Sequence, residues 1–239
     1  MSSMEPMNRE NVFAPPYAAA GERVNAFLRG VYSWMAGGLA ITAVTASLVA
    51  ATPALVYAIA TNRLLFWGIV IAQLGIVFGL SARVQHLAPS TAALLFVIYS
   101  ALTGLTMSVI LLAFTGESVA TTFMVTAGMF GALAFYGTVT RRDLSGLGSF
   151  LFMGLIGVVL ASIVGMFWHN DALQFVISFI GVIVFTGLTV YDAQRLKAMA
   201  LAAPTGQTGS YQVVGALALY LDFINLFLFL LRLFGSRRR

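Results

Sequence analysis

YDAQRLK (Tyr191 to Lys197) and LYLDFINLFLFLLRLFG (Leu219 to Gly235) each set one aspartate, Asp192 and Asp222, into strongly apolar surroundings. An ionised carboxylate inside a membrane costs several kcal/mol or more, so it normally faces a bundle interior or a wet cavity and has a partner. Two such residues on consecutive segments suggest that they partner each other. Working outward, the 239 residues are 60% hydrophobic and 9% charged, whereas soluble domains carry roughly 25% charged residues. The chain therefore reads as an integral membrane protein.

Cutting the chain at its charges and turn residues leaves seven apolar segments. They run near Val31 to Ala51, Leu64 to Ala82, Thr91 to Phe114, Val119 to Thr140, Ser149 to Trp168, Ala172 to Asp192 and Tyr211 to Phe234. Each approaches the roughly 20 residues that cover a hydrocarbon core of about 30 Å as helix. The joints carry turn chemistry, as at Thr52-Pro53, Pro89-Ser90 and Thr115-Gly116-Glu117. Backbone exposed to lipid must satisfy its own hydrogen bonds, and continuous rather than alternating apolar runs select helices over a barrel. The expected fold is all-α, a polytopic membrane bundle of seven helices spanning residues 30–235. Residues 1–29 read as a poorly ordered tail with an interfacial turn near Arg23 to Arg29, and 236–239 as a basic tail. The many glycines, Gly75 with Gly79 and Gly128 with Gly131 among them, are expected to let helices approach closely.

Orientation follows from lysine and arginine. One side collects Arg9, Arg23, Arg29, Arg83, Arg141, Arg142, Arg195 and Lys197, which makes the N-terminus cytoplasmic. The opposite side has Arg63 and, for seven full spans, Arg232, Arg237, Arg238 and Arg239 as well. That last group leaves two arrangements: a seventh helix that crosses, or a re-entrant one that returns its end to the cytoplasm. The net charge of +5 lies at segment ends, a pattern of membrane topology and not of nucleic-acid binding.

Several chemistries are poorly supplied. The absence of cysteine removes disulfides, thiolate metal sites and cysteine nucleophiles. Only His86 and His169 are available as imidazoles, both at segment ends, with no HExxH for zinc and no GxSxG for a serine hydrolase. Glu117, Asp143 and Asp171 fall in turns, where solvated or capping roles are expected. Asp192 precedes Arg195 by three residues and can simply balance it at the interface. Asp222 lies near mid-bilayer, where that explanation is weaker. Two carboxyls brought together there titrate as a unit, which makes the pair a proton sensor.

The same segments, VYDAQRLK and LYLDFINLFLFLLRLFG, with SALTGLTMSVI, TGESVATTFMVTAGMFGALAFYG and RRDLSGLGSFL, resemble the bacterial branch of the Bax-inhibitor-motif family. The resemblance covers nearly everything after Arg29. It implies a bundle with the last helix central, in the bacterial inner membrane, acting as a pH-sensitive calcium leak. It also implies that Asp192 and Asp222 are the sensor pair, with Arg83, late in the second helix, as the nearest match to an arginine that latches one aspartate in the closed state. Calcium would then be a transported ion held weakly and briefly by Asp192 and Asp222, since six to eight oxygens are its preference, and no tightly bound cofactor is implied. Two other readings stand beside this one. An interaction protein would bind or restrain a membrane protease without transport of its own. An intramembrane aspartyl protease would use Tyr191-Asp192 and Asp222, although Leu219-Tyr220-Leu221 lacks the glycines of a GxGD motif and no PAL motif follows.

Overall fold

The computed structural model describes residues 16–168, 170–204 and 206–238. Residues 1–15, His169 and Arg239, with the expectations placed on them, lie outside the described residues. Eight helices follow in order: α1 Pro16–Ala50, α2 Pro53–Thr61, α3 Arg63–Arg83, α4 Pro89–Ala113, α5 Gly116–Val139, α6 Ser145–Phe167, α7 Asp171–Ala202 and α8 Thr208–Phe234. All but α2 are long and apolar enough to cross a membrane.

Local chemistry sets the ends. Proline stands in the first turn of α2 and of α4, where its missing N–H leaves no bond unmade. Asn62 caps α3 by accepting from Leu65 N–H at 3.1 Å, Thr115 caps α5, and Asn170 caps α7 by accepting from Ala172 and Leu173. Asp143 accepts from Ser145 N–H at 2.9 Å ahead of α6, and that bond holds its carboxyl below the usual carboxylate range.

Three sequence boundaries need correction. The tail expected over 1–29 is already helical from Pro16, and Phe27 and Leu28 are buried in the core. Thr52-Pro53, read as a simple joint, opens the extra short helix α2. The sixth span does not stop at Asp192 but continues as α7 to Ala202, because Arg195 and Lys197 are good helix formers that end a membrane run without ending a helix.

α8 is the axis of the bundle. Of its apolar window 67% is buried, against 11% in α3 and in α6, and it packs against α1, α4, α5 and α7. Phe27 and Val31 of α1, Phe96 of α4 and Phe130 of α5 meet Leu219, Tyr220 and Phe223 of α8 in the main core. A second cluster joins Leu151 and Val158 of α6 to Val184 and Phe185 of α7 and to Leu226, Phe229 and Leu230 of α8. Lipid is as apolar as leucine, so close packing and buried hydrogen bonds hold such a bundle together. One of these bonds pins α8: Thr42 Oγ1 lies 2.9 Å from the Ser100 carbonyl and 2.5 Å from Tyr220 Oη. With Thr42 donating to a carbonyl, the wholly buried Tyr220 donates to Thr42.

The glycines expected to give close contact do not do so: a Cβ at Gly75, Gly79, Gly128 or Gly131 would meet nothing. Contact is made at Gly137, where a Cβ would run into the Val190 carbonyl of α7, and at Gly148, where it would meet the Tyr191 ring. Both positions seat α7 beside its neighbours within a turn of Asp192.

Hydrogen bonds tie each end of the bundle. At one end Arg23 donates to the Ala203 carbonyl, Gln207 to Gln85 and Ser210 to Leu87, while Gln194 bonds Arg142 and Leu144. At the other, Thr115 N–H donates to Ser236 and Arg238 N–H to Ala113, so the last residues lie on the α4–α5 turn. α8 therefore runs the full height of the bundle, and the re-entrant arrangement is not found.

Candidate functional site: a carboxyl pair between two helices

Asp222 occupies the middle of α8, fourteen residues after Thr208 and twelve before Phe234, and is only 4% exposed. Asp192 sits on α7, half-buried, within hydrogen-bonding reach of Asp222. The two antiparallel helices, packed along their length, thus bring both aspartates to one level. Asp222 Oδ2 is buried and has no hydrogen-bond partner of its own. Two ionised carboxylates in contact repel, so this arrangement is favourable when the pair holds a proton between them.

Both open into a cavity of about 470 Å³ bounded by α6, α7 and α8, whose polar lining includes Ser149, Tyr191, Arg195 and Asn225. Arg195 is one turn beyond Asp192 and is the cation that acts on it. Asn225 is one turn beyond Asp222, with its side-chain N–H₂ committed to the Leu221 carbonyl at 2.8 Å, so its amide oxygen is left for the cavity. The local oxygen donors are two carboxylates, one amide and the Ser149 and Tyr191 hydroxyls, a set that suits transient contact with a hard cation. Among the described residues no group of three or more His, Asp or Glu side chains assembles, here or elsewhere.

Arg83 is not brought to this pair. It is exposed at the end of α3, a helix that packs chiefly on α4, and it is not part of the cavity wall. His86 is likewise exposed in the following turn. From the sequence Arg195 reads as a topological charge that Asp192 balances, and Asn225 carries no reading of its own. Both are signalled by the i, i+3 spacing that puts them on the same helix face as their aspartates. The contribution of α6 through Ser149 has no comparable signal.

Further along α8, Leu226, Phe229 and Leu230 pack with Phe185 and Ile177 in an apolar cluster. A second cavity of about 590 Å³ lies between α5 and α8 near the α4–α5 turn, walled by Thr115, Glu117, Ser118, Thr121 and Thr122 and reaching Leu230.

Comparison with known proteins places this architecture. A family model described as inhibitor of apoptosis-promoting Bax1 matches residues 24–239. The inner membrane protein YbhL of Escherichia coli K12 is 51% identical over 215 residues, covering 89% of this chain and 92% of that one. An uncharacterized protein of Deinococcus radiodurans is 46% identical over 217 residues, 90% and 93% of the two chains. An uncharacterized membrane protein of Streptococcus pyogenes serotype M1 is 36% identical over 222 residues, 92% and 96%. With the match running from α1 to the last residue over seven membrane-length helices, the chain belongs to the Bax inhibitor family and is an integral membrane protein.

Proposed function

We propose that the protein is a pH-sensitive calcium leak of the bacterial inner membrane, gated by protonation of the Asp192 and Asp222 pair. The observation that carries this reading is a carboxyl pair midway along the bundle, open to a cavity between α6, α7 and α8, with the apolar cluster of Leu226, Phe229 and Leu230 further along α8 toward the opposite end. Hydrophobic constrictions of this kind stop ions by excluding water. The arrangement is then a closed state, and conduction requires α7 and α8 to part around Leu226, Phe229 and Leu230.

The pair controls that step through its charge. Sharing one proton, the pair bridges α7 to α8 and carries a single negative charge that attracts Arg195. As pH falls and the carboxyls protonate, the attraction is lost and the helices are free to rearrange. A few kcal/mol of differential interaction shifts a two-state equilibrium substantially. In this scheme Arg195 takes the latching role expected of Arg83. Calcium passes as a weakly held ion, since tight binding would defeat conduction.

The test is calcium flux into liposomes carrying the purified chain, measured across pH for the parent and for the Asp192→Asn, Asp222→Asn double variant. The parent should leak more as pH falls, and the double variant should lose that dependence. A parent without flux at any pH would overturn the reading. Cleavage of a membrane substrate that disappears in either single variant would favour the aspartyl protease in its place.

A further inference from the structure

We propose that the cleft between α1 and α5 is a binding site for an anionic phospholipid of the leaflet at the C-terminal end of the bundle. Both helices pack on α8 but stand apart from each other, leaving a channel whose floor is Phe223, Ile224 and Phe227 and whose sides include Ala43, Ser47 and Ala120. Exposed alanines on both walls keep this channel open: Ala43 and Ala120 face the membrane.

The cleft has a closed end and an open end. Toward the end of the bundle that carries Arg23, Tyr32 Oη and Thr138 Oγ1 approach to 3.4 Å and bridge α1 to α5. Thr138 already donates to the Ala134 carbonyl at 2.8 Å, so Tyr32 is the donor across the gap. At the other end no hydrogen bond joins the walls among the described residues, and the cleft is bordered by Arg238. That arginine is held in place although it is close to the end of the chain. Its N–H donates to the Ala113 carbonyl at 3.0 Å, and Ser236 is bonded both to Thr115 N–H and to the Ser118 hydroxyl.

Depth and charge select the occupant. From Leu39 to Ala50 the section bordered by Arg238 follows α1 for about 16 Å, the depth of one leaflet of a hydrocarbon core about 30 Å thick, and at Leu39 it meets a further cavity of about 470 Å³ that runs to the Tyr32–Thr138 bridge. The section bordered by Arg238 has a volume of about 600 Å³. An acyl chain is as apolar as the floor and ends at a headgroup level with Arg238. Basic side chains beside clefts between membrane helices favour anionic headgroups. Nothing in this argument depends on ion conduction.

The experiment is native mass spectrometry of the full chain released from detergent after equilibration with equal amounts of phosphatidylglycerol and phosphatidylcholine. The parent should retain phosphatidylglycerol in preference by about fivefold, the increment expected from one arginine near a membrane surface. Arg238→Gln leaves the backbone bond to Ala113 intact and should abolish the preference without reducing phosphatidylcholine retention. Ala120→Phe, at an exposed position, should fill the cleft and reduce retention of both lipids. Equal retention of the two lipids by the parent, or a preference unchanged in Arg238→Gln, would overturn the proposal. The chain is free of cysteine, so a photoactivatable label on Ala43→Cys reports the occupant directly. Crosslinks to phosphatidylglycerol support the site, and crosslinks to a second protein chain would replace the lipid with a partner helix.

Discussion

A carboxyl with 4% of its surface exposed and one oxygen unpartnered, as in Asp222, is tolerable only with a proton or a counter-charge close by. In the proposed scheme Asp192 shares the proton and Arg195 supplies the charge, so the three should behave as one titrating unit. Asp192→Asn and Asp222→Asn should each move the pH midpoint of flux, and the double variant should differ from the sum of the two shifts. Additive shifts would show the carboxyls to be independent. The cation gives a second test: Arg195→Ala should raise leak at neutral pH, while Arg83→Ala should follow the parent, because Arg83 stands outside the cavity. A leak raised by Arg83→Ala and not by Arg195→Ala would restore the α3 arginine as the latch. The aspartates were legible in the sequence because a charge stands out in an apolar run. Arg195 was harder to assign, since a cation at the edge of a membrane segment has an ordinary topological explanation.

At the scale of helices, the apolar runs located the seven spans, and the boundaries went astray where a helix outlasts its contact with lipid. α7 has 32 residues, about 48 Å at 1.5 Å per residue, well beyond the hydrocarbon core. Which glycines carry close contacts was not legible, because spacing alone does not tell whether a small-residue face meets a helix or lipid. Gly137 and Gly128 make the contrast measurable. In Gly137→Ala the new Cβ would collide with the Val190 carbonyl, a backbone atom that cannot swing aside, so α5 must move off α7. A lower melting temperature in detergent and a disturbed flux profile are expected, since Val190 is two residues from Asp192. Gly128→Ala meets open space and should be neutral or stabilising by up to about 1 kcal/mol, the difference in helix propensity. Equal melting temperatures for the two variants would remove the argument that Gly137 sets the α5 to α7 approach.

For the whole molecule, the two ends differ in charge, and the fold fixes which residues share an end. Arg23, Arg29, Arg83, Arg141, Arg142, Arg195 and Lys197 belong to one end by helix direction, and Arg63, Arg232, Arg237 and Arg238 to the other. Cytoplasmic loops collect the greater share of lysine and arginine, so a reporter after Arg142 should be cytoplasmic and one after Glu117 external. The bonds between Ser236, Arg238 and the α4–α5 turn make a further demand. A tag following Arg239 must report the same side as the Glu117 insertion, whichever side that is. If both reporters are cytoplasmic, the charge count has misjudged orientation while the fold stands. An external Glu117 reporter with a protected C-terminal tag would contradict the path of α8 itself, and with it the pairing of Asp222 with Asp192 at one level of the bundle.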